Sequence, residues 1–258
     1  MDTPTTLAIL VMSTCTFALT PAPVPAQVMT ATQGAYDPRL DSSRFTRAVT
    51  HPYFPLVPGT RFRYRGTGAS SNKVTVSTVT SQSRTVMGIR ATVVHEQAFD
   101  HGSLIEDTFD WYAQDSIGNV WYLGEQTRSM KNGRVVSTVG SWEYGVNGAQ
   151  PGVVMWADPA AHIGESYRQE YLPGVAEDVG KVLSVRTRAA VPHGTYRDCV
   201  ETEDTTPLEP DVRERKYFCR GVGLVRELET GGAGSTLVAV EKVPRSSARI
   251  KQVTRPGA

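Results

Sequence analysis

From Thr60 onward the chain is a succession of short stretches rich in Val, Thr, Tyr and Trp, each ended by Gly, Asn, Asp or Pro. No other feature limits the fold as strongly. β-Branched and aromatic residues suit a pleated, half-buried surface, and the intervening residues are those that reverse a chain. Residues 73–81, 84–97, 104–113, 119–125, 134–144, 167–172 and 182–190 read as strands, and three more follow the prolines near position 210. Asp115-Ser116-Ile117-Gly118 predicts a type I turn followed by a left-handed glycine. Lys131-Asn132-Gly133 carries a tight-hairpin dipeptide, and Gly231-Gly232-Ala233-Gly234 is a further reversal. Helical periodicity is limited to one turn around 157–163. So many consecutive hairpins cannot be buried as one flat sheet. The expected fold is all-β: a curved antiparallel sheet forming a barrel or half-barrel, with at most one or two short helical turns.

Thr60-Arg61-Phe62-Arg63-Tyr64-Arg65 alternates apolar and basic residues, as a strand with one buried face should. The preceding Pro52-Tyr53-Phe54-Pro55-Leu56-Val57-Pro58-Gly59 predicts an extended, aromatic-anchored entry. A single β domain is therefore expected over 51–243. It follows a flexible N-terminal arm over 27–50 and precedes a disordered basic tail over 244–258. Leu7-Ala8-Ile9-Leu10-Val11-Met12 begins an apolar stretch too short to span a bilayer but suited to a signal peptide over 1–26, with cleavage near Ala26. Its first residues include Asp2 and lack Lys or Arg, so the start could lie upstream. Cys15 lacks the small preceding residue of a lipidation site. The reading is a secreted or periplasmic, extracytoplasmic protein without a transmembrane segment in its mature chain.

Removal of the leader leaves Cys199 and Cys219, an even pair bound for an oxidising compartment. They are expected to form a disulfide across one hairpin. Neither has a Cys or His neighbour at zinc-ligand spacing. A formal net charge of +1 supplies no basic field for phosphates, so nucleic acid is not an expected partner.

Three segments together carry a resemblance: Tyr53-Phe54-Pro55-Leu56-Val57-Pro58-Gly59, Val191-Pro192-His193-Gly194-Thr195-Tyr196, and Gly221-Val222-Gly223-Leu224-Val225. The chain resembles a loose group of uncharacterised secreted bacterial proteins with YFPL-x-x-G, VP-x-GT[FY] and GVGLV motifs. The resemblance covers roughly residues 50–243. It implies a curved antiparallel half-barrel like that of periplasmic lipoprotein carriers, and it implies no activity.

The richest chemistry lies in Glu106-Asp107-Thr108-Phe109-Asp110-Trp111-Tyr112 and Val120-Trp121-Tyr122-Leu123-Gly124-Glu125. With a period of two, Glu106, Thr108, Asp110 and Tyr112 share one face, and Asp107, Phe109 and Trp111 the other. Neither face is purely apolar, which points to a cavity wall. Trp111, Tyr112, Trp121 and Tyr122 are the candidate stacking residues, and Glu106, Asp110 and Glu125 the polar anchors, for a small or amphipathic ligand. No cofactor is expected, although alternating carboxylates could hold calcium.

One alternative is a secreted glycoside hydrolase in which Glu106 or Asp110, with Glu125 or Glu177, supplies the acid and base. Another is an envelope interaction module without a small ligand, favoured if the concavity is filled by its own side chains. Other chemistries find no support. The segment from Gly174 to Lys181 is the wrong length for a phosphate loop, and Glu177 and Asp178 would repel phosphate. His95-Glu96 lacks the second histidine of a zincin, and no Gly-x-Ser-x-Gly elbow is present. Binding, with enzyme activity left open, is the expected function.

Overall fold

A computed structural model describes residues 36–244. The expected signal peptide with Cys15, the arm before Tyr36 and the tail beyond Pro244 lie outside the described residues. The first two strands, β1 (Thr50–His51) and β2 (Phe54–Pro55), pair as a small separate hairpin. The body begins with β3 (Thr60–Thr67), β4 (Lys73–Val86), β5 (Ile89–Asp100), β6 (Ser103–Gln114) and β7 (Val120–Gln126). Three short strands follow: β8 (Ser129–Lys131), β9 (Arg134–Ser137) and β10 (Trp142–Glu143). The sheet continues through β11 (Gln150–Met155), β12 (Ser166–Arg168) and β13 (Glu170–Tyr171). It ends with β14 (Val179–Val191), β15 (Gly194–Thr205), β16 (Arg213–Cys219), β17 (Gly223–Glu229) and β18 (Gly234–Lys242).

The path β12-β14-β15-β16-β17-β18-β3-β4-β5-β6-β7-β11-β13 is antiparallel throughout, as expected from sequential hairpins. Its two ends, β12 and β13, are separated in sequence by Gln169 alone. β12 pairs with β14 and β13 pairs with β11, while the Gln169 amide donates to the Asp178 carbonyl at 2.9 Å. Residues 166–171 thus straddle the seam, and the sheet is nearly closed into a barrel. No α-helix occurs among the described residues. Single 3-10 turns lie at Ser42–Arg44, Gly68–Ser70 and Pro159–His162, the last within the expected helical window.

Most turns match their sequence signals. Asn132 and Gly133 have φ of 52° and 72°, and the Asp115 carboxylate accepts from the amides of Ile117, Gly118 and Asn119. Boundaries differ in three places: the stretch 134–144 divides into β9 and β10 around a turn in which the Ser141 amide donates to the Thr138 carbonyl, 167–172 divides into β12 and β13 at Gln169, and β4 is longer than expected. The chain does not break between the stretches 73–81 and 84–97. Instead β4 runs on to Val86 and reverses at Met87-Gly88, which have φ of 46° and 78°. The polar run Ser81-Gln82-Ser83 had the composition of a turn, but a register shift between Val79 and Ser83 absorbs it within the ladder.

Two apolar clusters identify the two faces. The larger draws Tyr64, Val79, Val94, Tyr112, Tyr122, Val182, Val200, Phe218, Val225 and Leu237 from strands all around the sheet, so it fills the lumen. Phe54 and Leu56 from the entry segment join it, and Phe54 meets Tyr112 edge-on at 5.3 Å. The entry segment therefore plugs one end of the barrel. The smaller cluster comes from β4 to β7 and includes Val93, Phe109, Trp111 and Leu123, with Leu40 and Phe45 packed against it. It lies on the outer face. The described part of the expected arm, residues 36–50, lies against the barrel, with Val49 buried and Phe45 bridged to Asp115.

Cys199 and Cys219 form the expected disulfide one position beyond the Val200–Phe218 pair of the β15–β16 hairpin. Their separation of 20 residues gives a loop-closure contribution of about 3 kcal/mol. Replacing both with Ala should lower the melting temperature without changing the far-ultraviolet spectrum of a β protein; an unchanged melting curve would refute that contribution. At the seam, a Cβ on Gly152 would stand 2.2 Å from the Gln169 carbonyl carbon and 2.4 Å from the Arg168 oxygen. Gly152→Val should therefore destabilise the chain by at least about 2 kcal/mol, measured by urea unfolding. A loss within a few tenths would show that the seam is looser than described.

Candidate functional site

The alternation of β6 puts Glu106, Thr108, Asp110 and Tyr112 on one face, as the sequence pattern predicts, and that face is the inner one. β7 needs an irregularity to do the same. Strict alternation would put Tyr122 and Glu125 on opposite faces, yet Tyr112 is paired with Tyr122 and Asp110 with Glu125 across a register shift. Gly124 makes the shift possible. Its φ is 138°, and a Cβ there would lie 2.6 Å from the Trp142 oxygen and 2.9 Å from the Trp111 ring. A glycine inside a strand pattern is the sequence signal for such a bulge.

The result is a compact internal network. The Tyr122 hydroxyl lies 2.7 Å from Asp110 Oδ1 and 3.1 Å from Glu125 Oε2, and the Tyr112 and Tyr122 rings stack at 4.8 Å. Tyr112, Tyr122, Asp110 and Glu125 are 0, 0, 1 and 3% exposed. Burial pushes the Glu106 carboxyl up to about 8, with the Asp110 charge adding to the shift. Burial likewise raises Asp110 and Glu125, and the Glu170 charge pushes Glu125 further.

Glu170 brings in the second acidic stretch. Glu170 and Asp178 are buried, whereas Glu177 accepts from the Gly174 amide at 2.7 Å in an exposed turn. Farther round the lumen, Lys216 is 2% exposed and lies 3.0 Å from both Asp204 and Glu214. Burial alone would lower the Lys216 ammonium, but the charges of Asp204 and Glu214 hold it above its ordinary value. Asp204 lies on β15, and Glu214 and Lys216 lie on β16. Only the closure of the sheet turns them inward.

Trp111 and Trp121 belong to the other face. Trp111 lies in the outer cluster beneath the Arg84 guanidinium, whose carbon is 4.0 Å from the ring centroid. The Trp121 indole donates to Asp115 Oδ2 at 2.9 Å. Its ring helps line an outer recess of about 700 Å³ with Tyr36, Trp156, Tyr167, Arg168 and Tyr171, and the exposed Glu165 carboxylate also borders it. The candidate ligand residues are therefore split between two places: Glu106, Asp110, Tyr112, Tyr122 and Glu125 inside, Trp111 and Trp121 outside.

The recess has a definite chemistry. The Arg168 guanidinium carbon sits 4.1 Å from the Tyr171 ring centroid and 6.0 Å from that of Tyr36. Trp156 stacks on His162 at 4.1 Å and meets Tyr167 edge-on at 5.4 Å. Arg168 Nη1 and Trp156 Nε1 are shielded from solvent without a hydrogen-bond acceptor among the described residues. By contrast, the lumen cavity bounded by Phe54, Phe62, Tyr64, Val94 and Tyr112 measures about 50 Å³, room for water but not for an amphipathic molecule.

The internal acids determine how stability depends on pH. Glu106, Asp110, Glu125 and Glu170 are all raised in the folded chain, while the unfolded chain releases these protons near about pH 4. Between those values the folded state binds more protons, so its stability falls as pH rises from about 4 toward 8. With chelator present, the melting temperature should drop between pH 5 and 8, and Asp110→Asn should flatten that drop. A melting temperature that climbs over this range would contradict the assignment.

No family model and no curated protein matches the chain. Among solved structures, it is similar to a putative lipoprotein from Parabacteroides distasonis at 12% sequence identity and a TM-score of 0.41. That likeness covers 73% of this chain and 98% of the other, and at this score it carries no argument about site or function.

Proposed function

We propose that this chain is an exported, non-catalytic binding protein whose ligand is a ring-bearing amphipathic anion held in the outer recess. The observation that carries the reading is Arg168: a guanidinium with a shielded N–H, set between tyrosine rings at the wall of a recess of about 700 Å³. Planar guanidinium groups pair with carboxylate, sulfate or phosphate oxygens, while Trp121, Trp156, Tyr167 and Tyr171 offer faces and edges to an apolar ring. Few convergent polar groups on an aromatic wall are typical of small-molecule sites. The disulfide supports export to an oxidising compartment.

Of the residues expected to bind ligand, Trp121 keeps that role. The enclosed Glu106, Asp110, Tyr112, Tyr122 and Glu125 serve the barrel interior, and Trp111 serves the outer cluster. The burial of Asp110 and Glu125 weighs against the glycosidase alternative, because a sugar chain cannot reach them without opening the barrel.

The test uses 8-anilinonaphthalene-1-sulfonate as a probe of the proposed class. The folded chain should bind it saturably, with Trp fluorescence quenched. Arg168→Ala should weaken binding at least about tenfold, equivalent to about 1.4 kcal/mol, and Trp156→Ala should do the same. Trp111→Phe, outside the recess, should leave it unchanged. Equal affinity in wild type and Arg168→Ala would remove the recess as the site.

A further inference from the structure

The part of the lumen lined by β15, β16 and β17 gathers more acid than Lys216 and Lys73 can balance. Cross-strand register places Asp204 beside Glu214, Glu214 beside Glu229, and Lys216 between Thr202 and Glu227. Carboxyl oxygens of Glu214, Glu227 and Glu229 lie within 4.8 Å of one another. Lys216 spends its contacts on Asp204 and Glu214. Glu227 is fully buried, and neither of its oxygens has a hydrogen-bond partner among the described residues.

A second observation, independent of the acids, points to the same spot. Ser235 is the cross-strand partner of Glu227 and therefore shares its face of the sheet. It is 0% exposed, and its hydroxyl has no partner among the described residues. A serine hydroxyl and a carboxylate left open side by side in a dry interior are costly unless something holds both. A small recess of about 20 Å³, lined by Asp178, Asp204, Glu209 and Glu214, adjoins the group at Glu214 and has room for one water-sized species.

We propose that Glu214, Glu227, Glu229 and the Ser235 hydroxyl form a binding site for one hard divalent cation, calcium in preference to magnesium. All the offered atoms are oxygens, which suits a hard cation. Oxygens up to 4.8 Å apart can be spanned by an ion with bonds of about 2.3–2.6 Å, whereas magnesium requires about 2.0–2.1 Å in a tight octahedron. The remaining ligands are waters, for one of which the recess beside Glu214 has room. The bound ion ties β16, β17 and β18 together and offsets the carboxylates that remain unbalanced beside Lys216, whose charge acts on Glu227 and Glu229, and Lys73, whose charge acts on Glu229. This site is separate from the outer recess, so each assignment stands or falls alone.

Calcium chloride titrated into the chelator-treated, disulfide-bonded chain at pH 7.5 is the test, read by calorimetry and by the melting temperature. One equivalent should bind and raise the melting temperature, with magnesium giving a smaller shift at equal concentration. Glu227→Gln, which keeps the shape and removes the charge, should lower calcium affinity at least about tenfold, and Ser235→Ala should lower it less. If Glu227→Gln does not fold, Glu229→Gln at the more open edge carries the same expectation. No saturable binding by the wild-type chain up to millimolar calcium overturns the proposal. So does calcium affinity that is unchanged in the folded variant.

Discussion

Closure of the sheet at residues 166–171 is the constraint on which the rest of the molecule depends. Two hydrogen-bonding edges would be left bare if β14 and β11 ended the sheet, and bare edges invite pairing with other chains. One short segment instead serves both edges, β12 on one side of Gln169 and β13 on the other. The crossing is tight enough that Gly152 has no room for a side chain. With the ring nearly complete, every strand has an inner and an outer face, and the side-chain alternation of each strand becomes a choice between lumen and exterior.

The inner face is chemically divided. Around Phe54, Phe62, Tyr64 and Leu237 the lumen is mainly apolar, with the buried Glu96 in its lining, and is plugged by the entry segment. Elsewhere it holds Glu106, Asp110, Glu125, Glu170, Asp178, Asp204 and Glu227, against Lys216 and Lys73 among the buried lysines. Buried carboxylates are tolerated when they are paired, hydrogen-bonded or neutralised. The structure shows the first two devices at Lys216 and at the Tyr122 hydroxyl. Raised protonation of Asp110 and Glu106 supplies the third. These acids belong to the economy of the barrel interior as much as to any ligand.

The outer face carries a separate set of contacts. Leu40 and Phe45 from the segment before the barrel cover the apolar patch formed by β4 to β7. Tyr36 extends the same cover, its hydroxyl donating to the Pro151 carbonyl at 2.8 Å. That segment also forms one wall of the recess containing Arg168. Covering the sheet and shaping the recess are therefore done by one segment, and the recess lies next to the seam.

The fold class was legible because it rests on local chemistry. Asn132-Gly133 and Asp115 to Gly118 turn where their conformational preferences say they must, and the shared face of Glu106, Asp110 and Tyr112 follows from a period of two. The disulfide was legible from a pair of cysteines flanking one hairpin. The face on which Tyr122 and Glu125 lie was less so, since it depends on a bulge at Gly124 that one glycine only hints at. The recess around Arg168 and the acid cluster at Glu227 were not legible at all. Tyr36, Trp121, Trp156 and Arg168 are far apart in the chain, and Glu214, Glu227 and Ser235 lie on three different strands. By itself the sequence determined strands, turns and the disulfide, because these depend on neighbours a few residues apart or across one hairpin. Which polar groups share a space was decided only when the seam closed, because burial and charge balance arise between strands brought together around the ring.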